Sequence, residues 1–393
     1  MGRGGMREGQ ARACLTAVEL ENFLSFEKAR VELDKLTVLV GPNASGKSNF
    51  VKALRFLRLL TKSDVRSAAS ELGLTEFEHV IFRFDPERNI RLHVEGAVGH
   101  NTARYEIAVS SNGTVVSERV ELDDVVLALR KDEQVKFTGN IKEHRSAKSI
   151  GVKEYSLEGS YALLSQEHIL RALMRQHPAL ASFISLLEGF RDYSFNPTAI
   201  RREAPIGYSM YLARDGSNLA QVLHTLLTSD RKKFLRIEEV LRDFVPEVEA
   251  LDVPPTRGGE RTYVVLREKT VPEPLSYTNI SDGTLRLLAF ITAIHLGSPL
   301  VAFEEPENCV HPRLLKALVD LCRYGPSQVI ITTHSPYLVD HLRPEELRLV
   351  VKREGRTEVR PIVSEQKELV RRLLEEGFTL GEIWYSGHLG EGA

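Results

Sequence analysis

Residues 36 to 57 run in immediate succession through an apolar stretch, a glycine-bearing turn and an amphipathic stretch. Leu36-Thr37-Val38-Leu39-Val40 is apolar, partly β-branched and short, which reads as a buried parallel strand. Asn49 to Leu57 carries apolar residues at helical spacing. The turn between them is Gly41-Pro42-Asn43-Ala44-Ser45-Gly46-Lys47-Ser48, a P-loop in the strand–turn–helix context the motif requires. Gly41 and Gly46 permit backbone angles that side chains forbid. The amides of Asn43, Ala44, Ser45, Gly46, Lys47, Ser48 and Asn49 are then expected to face the phosphates of a nucleoside triphosphate. Lys47 should reach the β- and γ-phosphates, and Ser48 should ligate Mg²⁺.

Three further elements follow. Leu300-Val301-Ala302-Phe303-Glu304-Glu305-Pro306 is an apolar run ending in two carboxylates. It reads as a buried strand with acids at its C-terminal end, where open α/β sheets place ligands. Glu304 is expected to face Mg²⁺, and Glu305 to act as the base that orients the attacking water. Val329-Ile330-Ile331-Thr332-Thr333-His334 is another β-branched strand, ending in a histidine. A helix-like segment, Pro312 to Tyr324, separates the two strands, so together they form one βαβ unit with neighbouring strand ends. His334 then reads as a γ-phosphate sensor. Asn279-Ile280-Ser281-Asp282-Gly283-Thr284 opens an apolar helix through Ile294; Ser281 can cap it, and Gly283 lets a ligand approach its backbone.

Together these residues resemble the ATP-binding-cassette (ABC) ATPases, in the branch of SMC-like and RecF-like heads. Ser281-Asp282-Gly283 resembles the signature motif, Glu304 to Pro312 the Walker B and D-loop run, and Thr333-His334-Ser335 the switch histidine. Leu20-Glu21-Asn22-Phe23-Leu24-Ser25-Phe26 resembles the first strand of RecF-like heads. The chain is also similar to stand-alone bacterial AAA-family ATPases related to the ATPase part of OLD-family proteins. Arg214-Asp215-Gly216-Ser217-Asn218-Leu219-Ala220 and Leu380 to Gly387 carry that similarity. The resemblance implies an α/β P-loop NTPase of ABC-head type, two-lobed with a mixed sheet and a mainly helical insertion. It implies ATP and Mg²⁺ as cofactors, and a homodimer with ATP sandwiched between heads. Ser281 and Gly283 would then complete the γ-phosphate site of the partner subunit. Two positions depart from the family pattern. No glutamine lies between Gln10 and Gln134, so the Q-loop residue has no counterpart, and His79 stands in roughly its place. Cys309 occupies a D-loop position that is usually small.

At 393 residues the chain is long enough for one large domain or two. The expected organisation is a flexible extension over 1–13, ATPase lobe one over 14–124, a mostly helical insertion over 125–245 and lobe two over 246–393. In lobe one, strands are expected at Leu15–Asn22, Ala29–Leu33, Val80–Phe84, Ile90–Val98, Arg104–Ser110 and Thr114–Leu122, with Asn112-Gly113 as a hairpin turn. In the insertion, Ala162–Arg175, Ala179–Phe190 and Asn218–Phe244 carry helical periodicity. A strand is expected at Arg261–Glu268. The insertion lacks sustained heptads, which excludes an SMC-type coiled-coil arm.

Three cysteines without metal spacing suggest a reducing compartment, and residues 1–13 have no apolar core of a signal peptide, so a cytoplasmic protein is expected. The longest apolar run, Leu287 to Ile294, is too short to span a membrane. A net charge of −2 exerts no global pull on nucleic acid. Two basic clusters, Lys142/Arg145/Lys148/Lys153 and Arg231/Lys232/Lys233/Arg236 with Arg201-Arg202 nearby, could meet DNA phosphates or simply be solvated faces. Two roles therefore stay open: a switch acting on DNA in repair or defence, or a scaffold that recruits or restrains a separate effector such as a nuclease. The 59 residues after His334 are too few for the Toprim nuclease domain of OLD-family proteins, so no intrinsic nuclease is expected. A transporter ATPase fits less well, because such subunits carry the Q-loop glutamine and lack this insertion.

Overall fold

The computed structural model describes residues 13–74, 76–131, 134–138, 154–156, 178–362 and 364–389. In chain order the first elements are β1 (Ala13–Phe23), β2 (Phe26–Glu32), β3 (Leu36–Val40), α1 (Lys47–Leu60) and α2 (Val65–Glu71). There follow β4 (Ile90–Val98), β5 (Asn101–Val109), β6 (Val115–Leu122), β7 (Val125–Lys131), β8 (Gln134–Thr138) and β9 (Glu154–Ser156). Then come α3 (Pro178–Glu188), β10 (Arg191–Tyr193), α4 (Pro197–Ile200), β11 (Ala204–Pro205), α5 (Leu219–Ser229) and α6 (Arg231–Phe244). Next are β12 (Val248–Asp252), β13 (Arg261–Thr262), β14 (Val265–Glu268), β15 (Leu275–Ser276) and α7 (Asp282–Leu296). The chain ends with β16 (Leu300–Glu304), α8 (Leu315–Tyr324), β17 (Gln328–Thr333), α9 (Pro336–Val339), β18 (Leu347–Arg353), β19 (Arg356–Pro361), α10 (Ser364–Glu375) and α11 (Leu380–Tyr385).

These elements form two compact units. The described residues of Met1–Lys35, Asn43–Phe190 and Arg348–Arg360 make the first. Leu36–Pro42, Arg191–Leu347 and the described residues of Pro361–Ala393 make the second.

The first unit is built on an antiparallel sheet in the order β2-β1-β4-β5-β6-β7-β8-β9. Burial alternates along β4, with Ile90, Leu92, Val94 and Val98 inward, as a half-buried strand requires. The inner face packs on α3, which in turn packs on α1. Gly96 admits this contact: a Cβ there would meet the Phe183 ring at 2.7 Å. The other face is a lattice of opposite charges, in which Arg104 lies 3.7 Å from both Glu95 and Glu121.

The second unit is built on a parallel sheet, with β10, β16, β17 and β3 as successive neighbours. Every residue of β3 and β17 is buried, which explains their continuous apolar and β-branched character. The helix α7 is apolar all round and buried from Leu287 to Ile294. Its Phe290 ring stands 4.4 Å from that of Phe303 on β16, and Phe303 stacks in turn on Tyr193 of β10 at 5.5 Å. Among the described residues no helix is long and apolar enough to cross a membrane.

The structure corrects several expectations. Val80–Phe84 is not a strand: two short 3-10 turns, Phe77–Val80 and Phe82–Phe84, stand there, joined to β1 by an isolated bridge from Phe23 to Ile81. Arg83 and Phe84 both have φ of 57°, which extended pairing does not tolerate. The antiparallel sheet does not stop at residue 124, since β7, β8 and β9 continue it into the region expected to be mostly helical. The helical stretch 218–244 is two helices, broken at Asp230, whose carboxylate accepts from the Lys233 amide at 3.2 Å and starts α6. Arg261–Glu268 divides into β13 and β14, which pair with different partners, β11 and β12. The expected helix Ala162–Arg175, the cluster Lys142/Arg145/Lys148/Lys153 and residues 1–12 lie outside the described residues.

Phe303 is the hub of the aromatic stack, so Phe303→Ala is expected to cost about 3–5 kcal/mol. Urea unfolding checks this: the midpoint should fall while the slope stays unchanged, and an unshifted midpoint would contradict the packing account.

Candidate functional site

In the first unit, the P-loop closes on the N-terminus of α1. Gly46 sits there at φ 112°, and the amides of Asn49 and Phe50 donate to its carbonyl at 3.0 and 3.2 Å. No side chain caps α1 at Gly46, and a helix N-terminus is the kind of place that receives an anion. Ala44 is also left-handed, at φ 61°. The Ser45 hydroxyl is buried with no hydrogen-bond partner, a polar group suited to meeting a ligand atom. A residue far along the chain fixes this turn. Thr357 of β19 donates its hydroxyl to the Ser45 carbonyl at 2.8 Å. The same hydroxyl lies 2.7 Å from Ser25 Oγ, which accepts from the Asn49 side-chain amide at 2.8 Å. A Cβ at position 46 would meet Thr357 Oγ1 at 2.1 Å, so the turn admits only glycine on two counts. Beside Asn49 lies a cavity of about 580 Å³ whose lining includes Leu24, His79, Phe82, Phe84 and Lys352. His79 packs edge-on against Phe84, with ring centroids 5.5 Å apart.

In the second unit, three parallel strands end together. Register pairs Glu304 with Thr332 and Thr333 with Val40, and the Gly41 amide donates to the Thr333 carbonyl at 3.4 Å. The first residue of the P-loop, the acidic pair and His334 therefore share one sheet edge, at the carboxyl ends where such sheets bind ligands. The last ladder bond of β16 runs from the Glu305 amide to the Thr332 carbonyl at 2.9 Å. Glu305 itself is left-handed, φ 49° and ψ 55°, a conformation that costs a non-glycine residue about 1–2 kcal/mol. The turn aims its carboxylate at His334, whose Nδ1 lies 2.9 Å from Glu305 Oε1, while Asn308 donates to Oε2 at 3.2 Å. This pairing leaves Nε2 as the imidazole nitrogen that can face a ligand. Glu304 accepts from the Arg214 guanidinium, which also donates to Asp192 at 2.7 Å.

The signature-like segment caps α7. Ser281 accepts from the Thr284 amide at 3.1 Å, and its side chain and Asp282 are exposed. Arg201 pins the segment, donating to the carbonyls of Tyr277 and Thr278 at 2.7 and 2.8 Å and to Asp282 at 2.6 Å. Arg201 thus serves this loop rather than a basic face. Of the neighbouring cluster on α6, Arg236 pairs with Glu239 at 2.6 Å and Lys233 lies 3.7 Å from Asp230.

Arg214, Glu307, Asn308 and Thr357 have no role that the sequence motifs alone assign. Asn308 and Glu307 sit within the acidic run and could be suspected from proximity to Glu305. Thr357 carries no local signal at all.

Burial raises the Glu307 carboxyl above its ordinary value, against a hydrogen bond from Thr333 and with a further push from Glu305. A carboxyl raised in the folded state holds its proton more tightly there than in the unfolded chain. Its stabilisation is complete below the unfolded value and is lost as pH climbs through the raised one. Glu307→Gln, neutral throughout, is expected to flatten that decline in thermal midpoints from about pH 4 to about pH 8. A variant whose midpoint falls with pH as steeply as the parent's would contradict the assignment.

Comparison with known proteins bears on the fold. Solved Smc heads share the fold. The SmcHead bound to the C-winged helix domain of ScpA superposes with a TM-score of 0.55 at 13% identity, covering 90% of this chain and 99% of that one. A Pyrococcus furiosus Smc head domain with an extended coiled coil, bound to the C-terminal domain of ScpA, gives 0.55 at 14%, covering 93% and 99%. The chromosome partition protein Smc of Methanocaldococcus jannaschii is 37% identical over 84 residues, 19% of this chain, and the match spans only 7% of that protein's length. The fold is thus an SMC-head-like P-loop NTPase. The family described as "AAA domain, putative AbiEii toxin, Type IV TA system" matches residues 36–340, and the chain belongs to it.

Proposed function

We propose that the chain is an ATP-binding and ATP-hydrolysing switch that dimerises around ATP and acts on DNA in repair or in defence against foreign DNA. The observation that carries the ATPase reading is the sheet edge on which Gly41, Glu304, Glu305 and His334 stand together. The reaction is ATP plus water giving ADP and phosphate. Lys47 and the loop from Asn43 to Asn49 hold the phosphates, and the exposed cavity beside Asn49 suits the base. Glu305 orients the attacking water and takes its proton. His334, held through Nδ1 by Glu305, presents Nε2 to the γ-phosphate. The Ser48 hydroxyl and the Glu304 carboxylate are hard oxygen donors of the kind Mg²⁺ takes. Bound there, Mg²⁺ would neutralise charge on the β- and γ-phosphates.

Dimerisation follows from the signature segment. Ser281 is exposed at the N-terminus of α7, and Gly283 leaves its backbone approachable, as recognition of a second subunit's γ-phosphate needs. ATP would supply charge-assisted hydrogen bonds across that interface, and hydrolysis would remove them, which biases closed against open states. The kinship to the ATPase part of OLD-family proteins belongs to this proposal. So does a reducing cytoplasm, in keeping with Cys14 and Cys322 standing outside any disulfide.

A second reading has its own support. The family's description names a toxin system, which suits a scaffold whose ATP state restrains a separate effector. Mass in solution decides the common step. With Mg²⁺ and a non-hydrolysable ATP analogue, the mass should double, and Ser281→Arg should bind nucleotide yet stay monomeric. A mass indifferent to nucleotide contradicts the sandwich. Turnover raised by DNA, with salt-sensitive binding lost in Lys232→Glu/Lys233→Glu, favours the DNA switch. Turnover indifferent to DNA favours the scaffold.

A further inference from the structure

The loop Arg214-Asp215-Gly216-Ser217-Asn218 takes no part in the phosphate chemistry above, yet it is tightly built. Asp215 accepts from the Ser217 amide at 3.0 Å, and Asn218 accepts from the Ala213 amide at 2.7 Å while donating to the Tyr211 carbonyl at 2.9 Å. Gly216 is left-handed at φ 80°, and a Cβ there would meet Ile200 at 2.7 Å. The Ser194 and Asn196 amides donate to the carbonyls of Arg214 and Asp215 at 2.9 and 3.1 Å, fastening the loop to the chain leaving β10.

What this rigid loop presents is one guanidinium. Its Nε donates to Asp192 at 2.7 Å, and its Nη2 donates to Glu304. Asp192 and Glu304 lie on neighbouring parallel strands, β10 and β16, so a single planar fork spans both carboxylates. The Asp192 side chain is 6% exposed, which anchors the arginine at its base. Burial alone would lower the Arg214 pKa, but Glu304 and Asp192 raise it, so the group stays charged.

A cation therefore already occupies the carboxylate that a metal ion would need. Guanidinium and a divalent cation repel each other at one carboxylate, and Glu304 cannot satisfy both with the same oxygen. We propose that Arg214 is a positioning residue that holds and neutralises Glu304 in the metal-free state, competes with Mg²⁺ for it, and is released when the metal binds. This rests on the reading of Glu304 as the metal carboxylate.

The test is a Mn²⁺ titration of the full chain with ATP, read by electron paramagnetic resonance. Wild type, Arg214→Ala, Arg214→Gln and Arg214→Lys are compared, with circular dichroism to establish folding. Loss of the charge in the Ala and Gln variants should tighten Mn²⁺ binding by about fivefold or more, while the Lys variant should stay near wild type. On a Glu304→Gln background, removing Arg214 should leave Mn²⁺ affinity unchanged. Without metal the Ala variant should melt lower than wild type, and Mn²⁺ should raise its midpoint more. An unchanged or weaker Mn²⁺ affinity in a folded Ala or Gln variant overturns the proposal. If wild type itself shows no ATP-dependent Mn²⁺ site, the nucleotide reading fails and the proposal fails with it. If that site is present but insensitive to position 214, only the proposal fails.

Discussion

Parallel pairing of β16, β17 and β3 is the constraint on which the rest depends. Parallel strands that are neighbours in one sheet end on the same side, and their register here pairs Glu304 with Thr332 and Thr333 with Val40. The residues that follow each strand are thereby delivered to one edge without any loop having to reach for it. Both faces of β3 and β17 are buried, so packing against the two covering layers secures the register: a slip of one residue would exchange the side chains each layer meets. The apolar helix α7 and the Phe290–Phe303–Tyr193 stack then hold β16 in place from the side.

Charge is concentrated where this frame ends. Glu304 faces Arg214, Glu305 faces His334, and Glu307 is buried against Thr333. Three carboxylates within four positions repel one another, and each is given a separate partner. The left-handed backbone at Glu305 is the local cost of separating them, since it turns that carboxylate away from the strand direction. The P-loop shows the same economy. A threonine hydroxyl on β19 and a serine in the β1–β2 turn fix the loop's carbonyl and the first turn of α1.

The P-loop was legible because its chemistry is local: the glycines, lysine and serine that matter fall within eight positions, between a strand and a helix each visible from its own periodicity. The acidic pair and His334 were legible because each closes a β-branched or apolar run. β4 matches its expected bounds, where alternation is strict, while β5 begins three residues before its expected start and β6 one residue after. What was missed depends on partners far apart in sequence. Thr357 acts on Ser45 from 312 positions away, and Arg214 meets Glu304 from 90 positions away. Val80–Phe84 imitated a strand because it is short, apolar and rich in β-branched and aromatic residues, while the left-handed angles of Arg83 and Phe84 leave no trace in hydropathy. The break at Asp230 was hidden for the opposite reason: helical periodicity continues across it, while its non-helical backbone and capping carboxylate divide α5 from α6.

Glu305 as the base at the strand end is the assignment on which the hydrolytic chemistry rests most directly. Single-turnover hydrolysis by Glu305→Gln, measured beside its ATP affinity, isolates that role. Near-parental ATP binding with hydrolysis slowed by about 10²-fold or more is the result this geometry predicts. A variant that binds ATP and hydrolyses it at the parental rate would contradict the assignment of the base and the reading of the sheet edge built on it.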